Sequence, residues 1–473
     1  MIFDVAIVGA GVIGSMIARE LTRYKVSLCI LEQANDVACG ASRANSGIVH
    51  GGYDPEPGTL KAKLNTVGVE LLFEAAKELN VPCIRNGSLV CAFSEEENTA
   101  VRELYDRGQE NSISQLQILT GDEARAIEPK LSQAVTSALY VPTAGIICPY
   151  GLTIAAAGNA MDNGAQLKTN FCVSSIIRKN GIFTITALNG ETVQAKTLIN
   201  CAGCESGKIA ALAGDDSITI IPRAGEYMLL DKTAGATVNH TIFQVPSAEG
   251  KGILVSPTVH GNLLTGPTAI KVEDGKSTET TAKGLDMVRR LSLKSVPTVD
   301  FRSVITSFTG VRSSEKSGDF IIGWSEQAEG LLNVAAIDSP GLTCCVAIAK
   351  QVVGLLGELE VNPNFNGHRE DPHAFRNMTL DEQNAFIKEN PAYGKIVCRC
   401  ETVSEGEILA AIRNNPPAQD LDGIKRRTRS GMGRCQGGFC GPYIMELLAK
   451  EQNIPMEQVT KCGGGSFMVT GKV

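Results

Sequence analysis

Four cysteines stand in two close pairs, Cys398-Arg399-Cys400 and Cys435-Gln436-Gly437-Gly438-Phe439-Cys440. Thiolates in pairs chelate, and four of them satisfy a tetrahedral iron or zinc environment. This spacing reads first as a [2Fe-2S] cluster, with structural zinc and a disulfide or unliganded thiols as the alternatives. Glycines around the second pair suit backbone N–H groups that point at cluster sulfurs. Of the 15 cysteines, the other eleven are scattered. Most of them, such as Cys29, Cys344 and Cys345, sit in apolar runs and read as small core residues. Cys462 has no evident partner. Beside the second pair lies a basic run, Lys425-Arg426-Arg427 with Arg429 and Arg434. It reads as a solvated helix face, or else as a docking patch or partial neutralisation of an anionic cluster.

A second chemistry lies at the other end of the chain. Gly9-Ala10-Gly11-Val12-Ile13-Gly14 fits G-x-G-x-x-G, follows a strand-like run and opens a helix-like one, and Glu32 ends the next strand-like run. Gly9 allows the tight turn. Gly11 lets backbone approach a pyrophosphate at the helix N-terminus, and Gly14 permits close helix–strand packing. Glu32 can accept hydrogen bonds from ribose hydroxyls and would repel a 2′-phosphate. The pattern predicts a dinucleotide site; the bland alternative is that these glycines serve only a turn.

The elements that must carry these residues follow from periodicity. Val5–Gly9, the helical spacing of Val12 to Tyr24 and the run Ser27–Glu32 form a βαβ unit. Ile84–Phe93 and Gly181–Leu188 read as antiparallel strands, Thr197–Gly203 as a buried strand opening a turn, and Ile253–Gly266 as a hairpin about His260-Gly261-Asn262. Gly330–Ile337 reads as a strand, broken by Ser339-Pro340-Gly341 before an apolar helix at Leu342–Leu356. Asn362 to Ala392, with Pro363, Pro372 and Pro391, reads as a connecting segment. Val403–Asn415 and Asp422–Thr428 read as two short helices between the cysteine pairs.

The chain has 473 residues, too many for one core and suited to two or three domains. A net charge of -7 offers no broad basic surface, and 5% aromatic residues offer few stacking platforms, so nucleic-acid binding is not expected. No stretch is long and apolar enough for a transmembrane helix. The N-terminus lacks the pattern of a signal peptide. The expected location is cytoplasmic, where clustered cysteines read as metal-binding before disulfide-bonded.

Residues 1–360 resemble the D-amino-acid-oxidase-like FAD-dependent oxidoreductases, which include glycerol-3-phosphate dehydrogenase and 2-hydroxyglutarate oxidase. The resemblance rests on five segments: Ala41-Ser42-Arg43-Ala44-Asn45-Ser46-Gly47-Ile48-Val49-His50-Gly51-Gly52; Asn200-Cys201-Ala202-Gly203; Pro222 to Tyr227; Thr309-Gly310-Val311-Arg312 with Asp319 to Gly323; and Asp338-Ser339-Pro340-Gly341-Leu342-Thr343. Ile396–Leu447, above all Arg429 to Pro442, resembles the bacterioferritin-associated-ferredoxin-like [2Fe-2S] domain.

These resemblances imply an α/β fold with three parts: a Rossmann-like FAD-binding domain (1–80, 143–215 and 310–360), a mixed-sheet substrate domain (81–142 and 216–309) and, after a linker (361–394), a small helical [2Fe-2S]-binding domain (395–473). Gly9, Gly11, Gly14, Glu32, Ser42, Asn45, Ser46, Gly47, Val173, Ala202, Gly203, Gly310, Gly341, Leu342 and Thr343 are then expected to hold FAD. The helix opened by Gly341 to Thr343 would turn its positive end to the flavin. Cys398, Cys400, Cys435 and Cys440 would hold the cluster.

FAD accepts a hydride and a cluster passes electrons on singly, which favours a dehydrogenase with a protein electron acceptor or a second flavoprotein subunit. Any membrane association would be made through that partner. The substrate is expected to be a small anion. Arg312 would take its anionic end, with a structural ion pair as the alternative role. His50 would take the hydroxyl proton, or only orient the loop or flavin. Tyr227 is a candidate for the substrate hydroxyl and equally a packing residue. His260 reads as an exposed hairpin residue. Leu254 stands where 2-hydroxyglutarate oxidases carry a His. The preferred substrate is sn-glycerol 3-phosphate, as for the A subunit of the anaerobic dehydrogenase; a 2-hydroxy acid such as L-2-hydroxyglutarate and an amine or opine-type amino acid follow.

Overall fold

Val5–Val8 is an unbroken apolar run, and as part of β1 (Ile2–Val8) it lies inside an eight-stranded mixed sheet with a parallel neighbour on each side. The computed structural model describes residues 1–246, 252–371, 374–469 and 471; Pro372 lies outside them. Helix α1 (Val12–Leu21) returns the chain to β2 (Leu28–Leu31), parallel to β1. On its other side β1 pairs in parallel with β3 (Thr192–Asn200), whose end pairs in turn with Leu331–Ala335. Strands buried on both faces need continuous apolar runs, and β2 and Leu331–Ala335 are buried throughout.

A second, mixed sheet is built on β4 (Ile221–Leu230) and β5 (Val304–Ser314), a long antiparallel pair. The hairpin expected about His260 is present: Leu254–Pro257 pairs with Leu263–Gly266, which lies against β4. The boundary expected between 309 and 310 falls inside β5, which runs on unbroken to Ser314.

Three further helices pack with α1 into one core: α2 (Leu60–Glu78), α3 (Pro149–Asp162) and α4 (Gly341–Leu355). Ile17, Leu72, Leu152, Cys345 and Ile348 meet there without exposure. Each large apolar side chain so buried contributes about 1.5–3 kcal/mol. Cys29 and Cys344 are equally buried, as small core residues should be.

The expected connecting segment is partly helical. Leu380–Glu389 is a helix started by a capping box, with the Thr379 hydroxyl on the Glu382 N–H and the Glu382 carboxylate on the Thr379 N–H. Thr379-Leu380-Asp381-Glu382 carries that signal in the sequence. The last module has its own core of Ile408, Ile424, Ile444 and Leu448, supplied by Glu405–Arg413, α5 (Leu421–Thr428) and Gly441–Gln452.

The basic run on α5 is not a solvated face. Arg426, Arg427 and Arg429 are 7%, 8% and 6% exposed. Arg427 forks onto Asp36, Nη2 to Oδ1 at 2.7 Å and Nη1 to Oδ2 at 2.8 Å, and Arg426 Nη2 reaches Oδ2 at 2.6 Å. Burial works against charge on Asp36, but the two guanidinia outweigh it and hold the carboxyl below its ordinary value. Since Asp36 follows β2, this cluster of charges ties the C-terminal module to the first sheet. Among the described residues, no helix is long and apolar enough to cross a membrane.

Candidate active site and redox centres

The turn after β1 is tight because it has to be. Gly9 has φ +106°, and a Cβ there would lie 2.4 Å from the Cys201 carbonyl oxygen. A Cβ on Gly14 would lie 2.0 Å from the Gly9 carbonyl oxygen, so α1 touches the turn directly. Gly11 is the N-cap of α1 and offers no side chain to the helix end. The Ser42 hydroxyl accepts the Val12 N–H at 2.8 Å and so holds the 41–47 loop against the helix start. Glu32 is 8% exposed. Its two oxygens accept the Ala10 and Ala34 N–H groups at 2.8 Å each. Burial raises its pKa in spite of those bonds. Each oxygen keeps a second lone pair for a hydroxyl donor.

These groups open on a cavity of about 1080 Å³. That exceeds the roughly 300–1,000 Å³ of ordinary small-ligand sites and suits a dinucleotide with a substrate beside it. Gly9, Gly11, Glu32, Ser42, Asn45, Ser46, Gly47, Val173, Ala202, Gly203, Gly310, Gly341 and Leu342 all line it. Gly14 does not, because it is spent on packing. Thr343 does not line it either. It is fully buried, and its hydroxyl takes the His50 N–H at 2.8 Å, so it anchors the loop below the cavity.

The far wall is the face shared by β4 and β5. Their register sets Arg223 opposite Arg312, Gly225 opposite Gly310 and Tyr227 opposite Phe308. Directly opposed residues share a face. The two glycines make room: a Cβ on Gly310 would lie 1.7 Å from the Ala44 carbonyl oxygen, and one on Gly225 would lie 3.2 Å from Arg312 Nη2. Tyr227 stacks on Phe308 at 4.8 Å, and its hydroxyl meets Ser46 Oγ at 3.2 Å. Arg312 lines the cavity and makes no ion pair among the described residues, so the structural-pair alternative has no partner there.

His50 also lines the cavity. Its ring stacks on Tyr53 at 4.7 Å, its carbonyl accepts Asn65 Nδ2 at 2.7 Å, and its Nδ1 accepts the Gly52 N–H at 3.1 Å. A backbone N–H can only donate, so the neutral ring carries its proton on Nε2.

His260, expected to be exposed, is half-buried and lines the cavity, its ring parallel to Tyr150 at 6.5 Å. The C-terminal module also supplies lining that sequence reading missed: Lys425, Arg426, Arg429, Met432 and Gln436. Arg429 binds three parts of the chain at once, Glu401 Oε2 at 2.8 Å, Asn262 Oδ1 at 3.0 Å and Tyr150 OH at 3.3 Å. The basic run in the sequence was the one available signal, but its target Asp36 lies almost four hundred residues upstream.

The cluster thiols meet two by two. Cys400 Sγ lies 3.6 Å from Cys435 Sγ. Two thiolates on one tetrahedral iron, at about 2.3 Å each, stand roughly 3.7 Å apart. Cys440 donates to Cys398 and, with backbone N–H groups of Gly431 and Glu401, lowers the Cys398 pKa to about 5. Cys435 is pushed up by burial but more strongly lowered by the N–H groups of Phe439 and Gly437. In each pair one thiol is lowered and its partner raised: Cys440, which donates to Cys398, and Cys400, which shares a contact with Cys435, both lie above the ordinary value. Among the described residues no three metal-ligating side chains converge on a single ion. All four are free thiols, not disulfides.

A family model described as FAD dependent oxidoreductase matches residues 4–355, and one described as BFD-like [2Fe-2S] binding domain matches residues 396–450. The chain is 43% identical over 473 residues to a glycerol 3-phosphate dehydrogenase of Caloramator mitchellensis, covering 99% of this chain and 98% of that protein. It is 33% identical over 376 residues to a glycerol 3-phosphate oxidase of Mycoplasma genitalium, covering 77% of this chain and 98% of that one. Its structure is similar to dithionite-reduced L-alpha-glycerophosphate oxidase from Mycoplasma pneumoniae with FAD bound, with a TM-score of 0.75 and 32% identity over 78% of this chain and 98% of that chain.

Proposed function

This chain belongs to the FAD dependent oxidoreductase family and ends in a BFD-like [2Fe-2S] binding domain, and on that premise we propose that it is a dehydrogenase of sn-glycerol 3-phosphate. It would form dihydroxyacetone phosphate and send the electrons through the cluster to a protein acceptor. The observation that carries this reading is Arg312 on the cavity wall, without an ion pair among the described residues, in a chain similar along its whole length to a glycerol 3-phosphate dehydrogenase.

Bound FAD supplies a two-electron acceptor for the hydride of the substrate carbinol, and the cluster supplies one-electron relay. The chain does the rest. Arg312 holds the anionic end with its guanidinium fork. Tyr227 and Ser46 fix the 44–47 loop against the wall. His50 serves the hydroxyl. To take the proton at Nε2, the ring must first move its own proton to Nδ1 and give up the Gly52 N–H. That costs about 1 kcal/mol, the net worth of one hydrogen bond. A positioned base contributes about 10²–10⁴-fold, which is several times larger, so the exchange does not rule the role out. Leu254 is 3% exposed and lines the cavity. It offers nothing to the second carboxylate of a 2-hydroxy diacid, which favours the phosphate substrate.

The electrons leave at an exposed edge. Cys400 is exposed, and Phe439, beside two ligand cysteines, is 89% exposed. A large apolar side chain held in water there suits a protein acceptor that covers it.

The test is anaerobic bleaching of the flavin by sn-glycerol 3-phosphate, L-2-hydroxyglutarate and proline-like amines. Bleaching by the first at the lowest concentration supports the proposal. Preferential bleaching by either of the others overturns it.

A further inference from the structure

The register of the second sheet aligns three cations. Arg223 on β4 stands opposite Arg312 on β5, and on its other flank it stands opposite Lys271 of the short strand Ile270–Lys271. Opposed residues share a face, so Lys271, Arg223 and Arg312 form one row across three strands. Lys271 and Arg223 are exposed and Arg312 is half-buried. Arg223 and Arg312 line the cavity.

Like charges directly opposite one another destabilise a sheet. Here three are lined up, and none makes an ion pair or side-chain hydrogen bond among the described residues. The charged groups nearby do not cancel the row. Lys208 and Lys276 add to it; Glu205 shares the cavity lining, Asp274 is engaged by the Lys276 N–H and the Ser277 hydroxyl, and Asp338 by Lys61 and Ser314. Such an arrangement is what an anion would relieve.

We propose that Arg223, backed by Lys271, completes a clamp with Arg312 that reads the second negative charge of the substrate, so that the site takes a phosphate dianion in preference to a carboxylate or a phosphate monoanion. The inference rests on the reading above that Arg312 holds the anionic end. A carboxylate has two oxygens, and one guanidinium fork satisfies both. A phosphate monoester has a third terminal oxygen and, above its second pKa near 6, a second charge. That oxygen and that charge are left for a second cation, and Arg223 is the one that the register supplies. Arg223 is thus a specificity-determining residue.

The experiment measures kcat/KM for sn-glycerol 3-phosphate from pH 5 to 8 in the wild type, Arg223→Gln and Arg223→Lys, each checked for wild-type FAD and iron content. The ratio of variant to wild type at each pH cancels titrations that the proteins share, such as that of His50. Arg223→Gln is expected to fall about ten- to a hundredfold at pH 8, the size of one lost charge-assisted hydrogen bond, and much less at pH 5, where the phosphate is a monoanion. Arg223→Lys should recover part of the loss. As a readout apart from turnover, inorganic phosphate should perturb the flavin spectrum of the wild type at lower concentration than that of Arg223→Gln. A ratio near one at every pH, with unchanged phosphate titration, overturns the clamp while leaving the substrate reading in place. A wild type not bleached by sn-glycerol 3-phosphate at any pH would instead overturn the substrate reading.

Discussion

The cavity draws its walls from Val8 near the start of the chain to Gln436 near its end, and its polar groups come from strands, helices and loops alike. The cluster thiols come from one short stretch, Cys398 to Cys440, and two of them sit in a loop of glycines. The first arrangement spreads its work. The Gly9 turn, the Glu32 carboxylate, the Ser42 bridge and the β4–β5 face each hold a part, and the surrounding sheets fix them. The second concentrates it, since on the proposed reading four thiols carry all the binding. A distributed site should lose function in steps as residues are changed, whereas a concentrated one should fail at once. The two also meet physically through Arg429 and the Asp36 cluster, so damage at the seam should reach both.

The strongest way to break the comparison is Cys435→Ser. A hydroxyl is a poor replacement for thiolate at iron. Iron and sulfide in the purified variant should drop to background while FAD content stays at the wild-type level. A proportionate loss of FAD would show that the two centres are not independent.

Next in size is the seam. Asp36→Asn leaves two buried guanidinia without their counter-charge, and breaking a buried pair in this way costs about 3–5 kcal/mol. Because the carboxyl is held below its ordinary value, its contribution is full above about pH 4 and fades only as pH falls through the lower folded value. Chemical denaturation at pH 7 should therefore show the loss, and the gap between variant and wild type should close in acid. Wild-type stability at pH 7 would remove the tie.

Arg312→Lys is smaller and confined to the cavity. A point charge cannot reproduce the fork. The loss in kcat/KM should be about 1.5–3 kcal/mol, with FAD binding unchanged. Unaltered kinetics with the preferred substrate would take Arg312 out of the site. Smallest is Phe439→Ala, which removes no ligand. Turnover with the protein acceptor should slow while turnover with a small dye holds. Equal slowing of both would place the effect on the cluster rather than on the surface beside it.

What could be read from the sequence follows the same division. The two cysteine pairs, the G-x-G-x-x-G turn and the element spans were legible because each is local. Cys398 to Cys440 are near neighbours, and the glycine spacing of 9–14 carries its own mechanical reasons. The hairpin about His260 was visible too, but not that the ring turns into the cavity toward Tyr150. Arg426 and Arg427 were visible as a basic run, and nothing nearby shows that Asp36 buries them. Thr343 was placed on the cofactor because it follows Gly341, whereas its hydroxyl is taken by His50. The facing of Arg223 and Arg312 depends on strand register, and a slip of one residue would have separated them.

The central claim is that electrons enter at the flavin from sn-glycerol 3-phosphate and leave through the cluster. An anaerobic titration of the wild type and Cys435→Ser with that substrate, followed by flavin absorbance and by electron paramagnetic resonance of the reduced cluster, tests it most directly. Both proteins should bleach, only the wild type should develop the reduced [2Fe-2S] signal, and only the wild type should go on to reduce the protein acceptor. A cluster that stays oxidised while the wild-type flavin is fully reduced, or a Cys435→Ser protein that reduces its acceptor at the wild-type rate, would contradict the account.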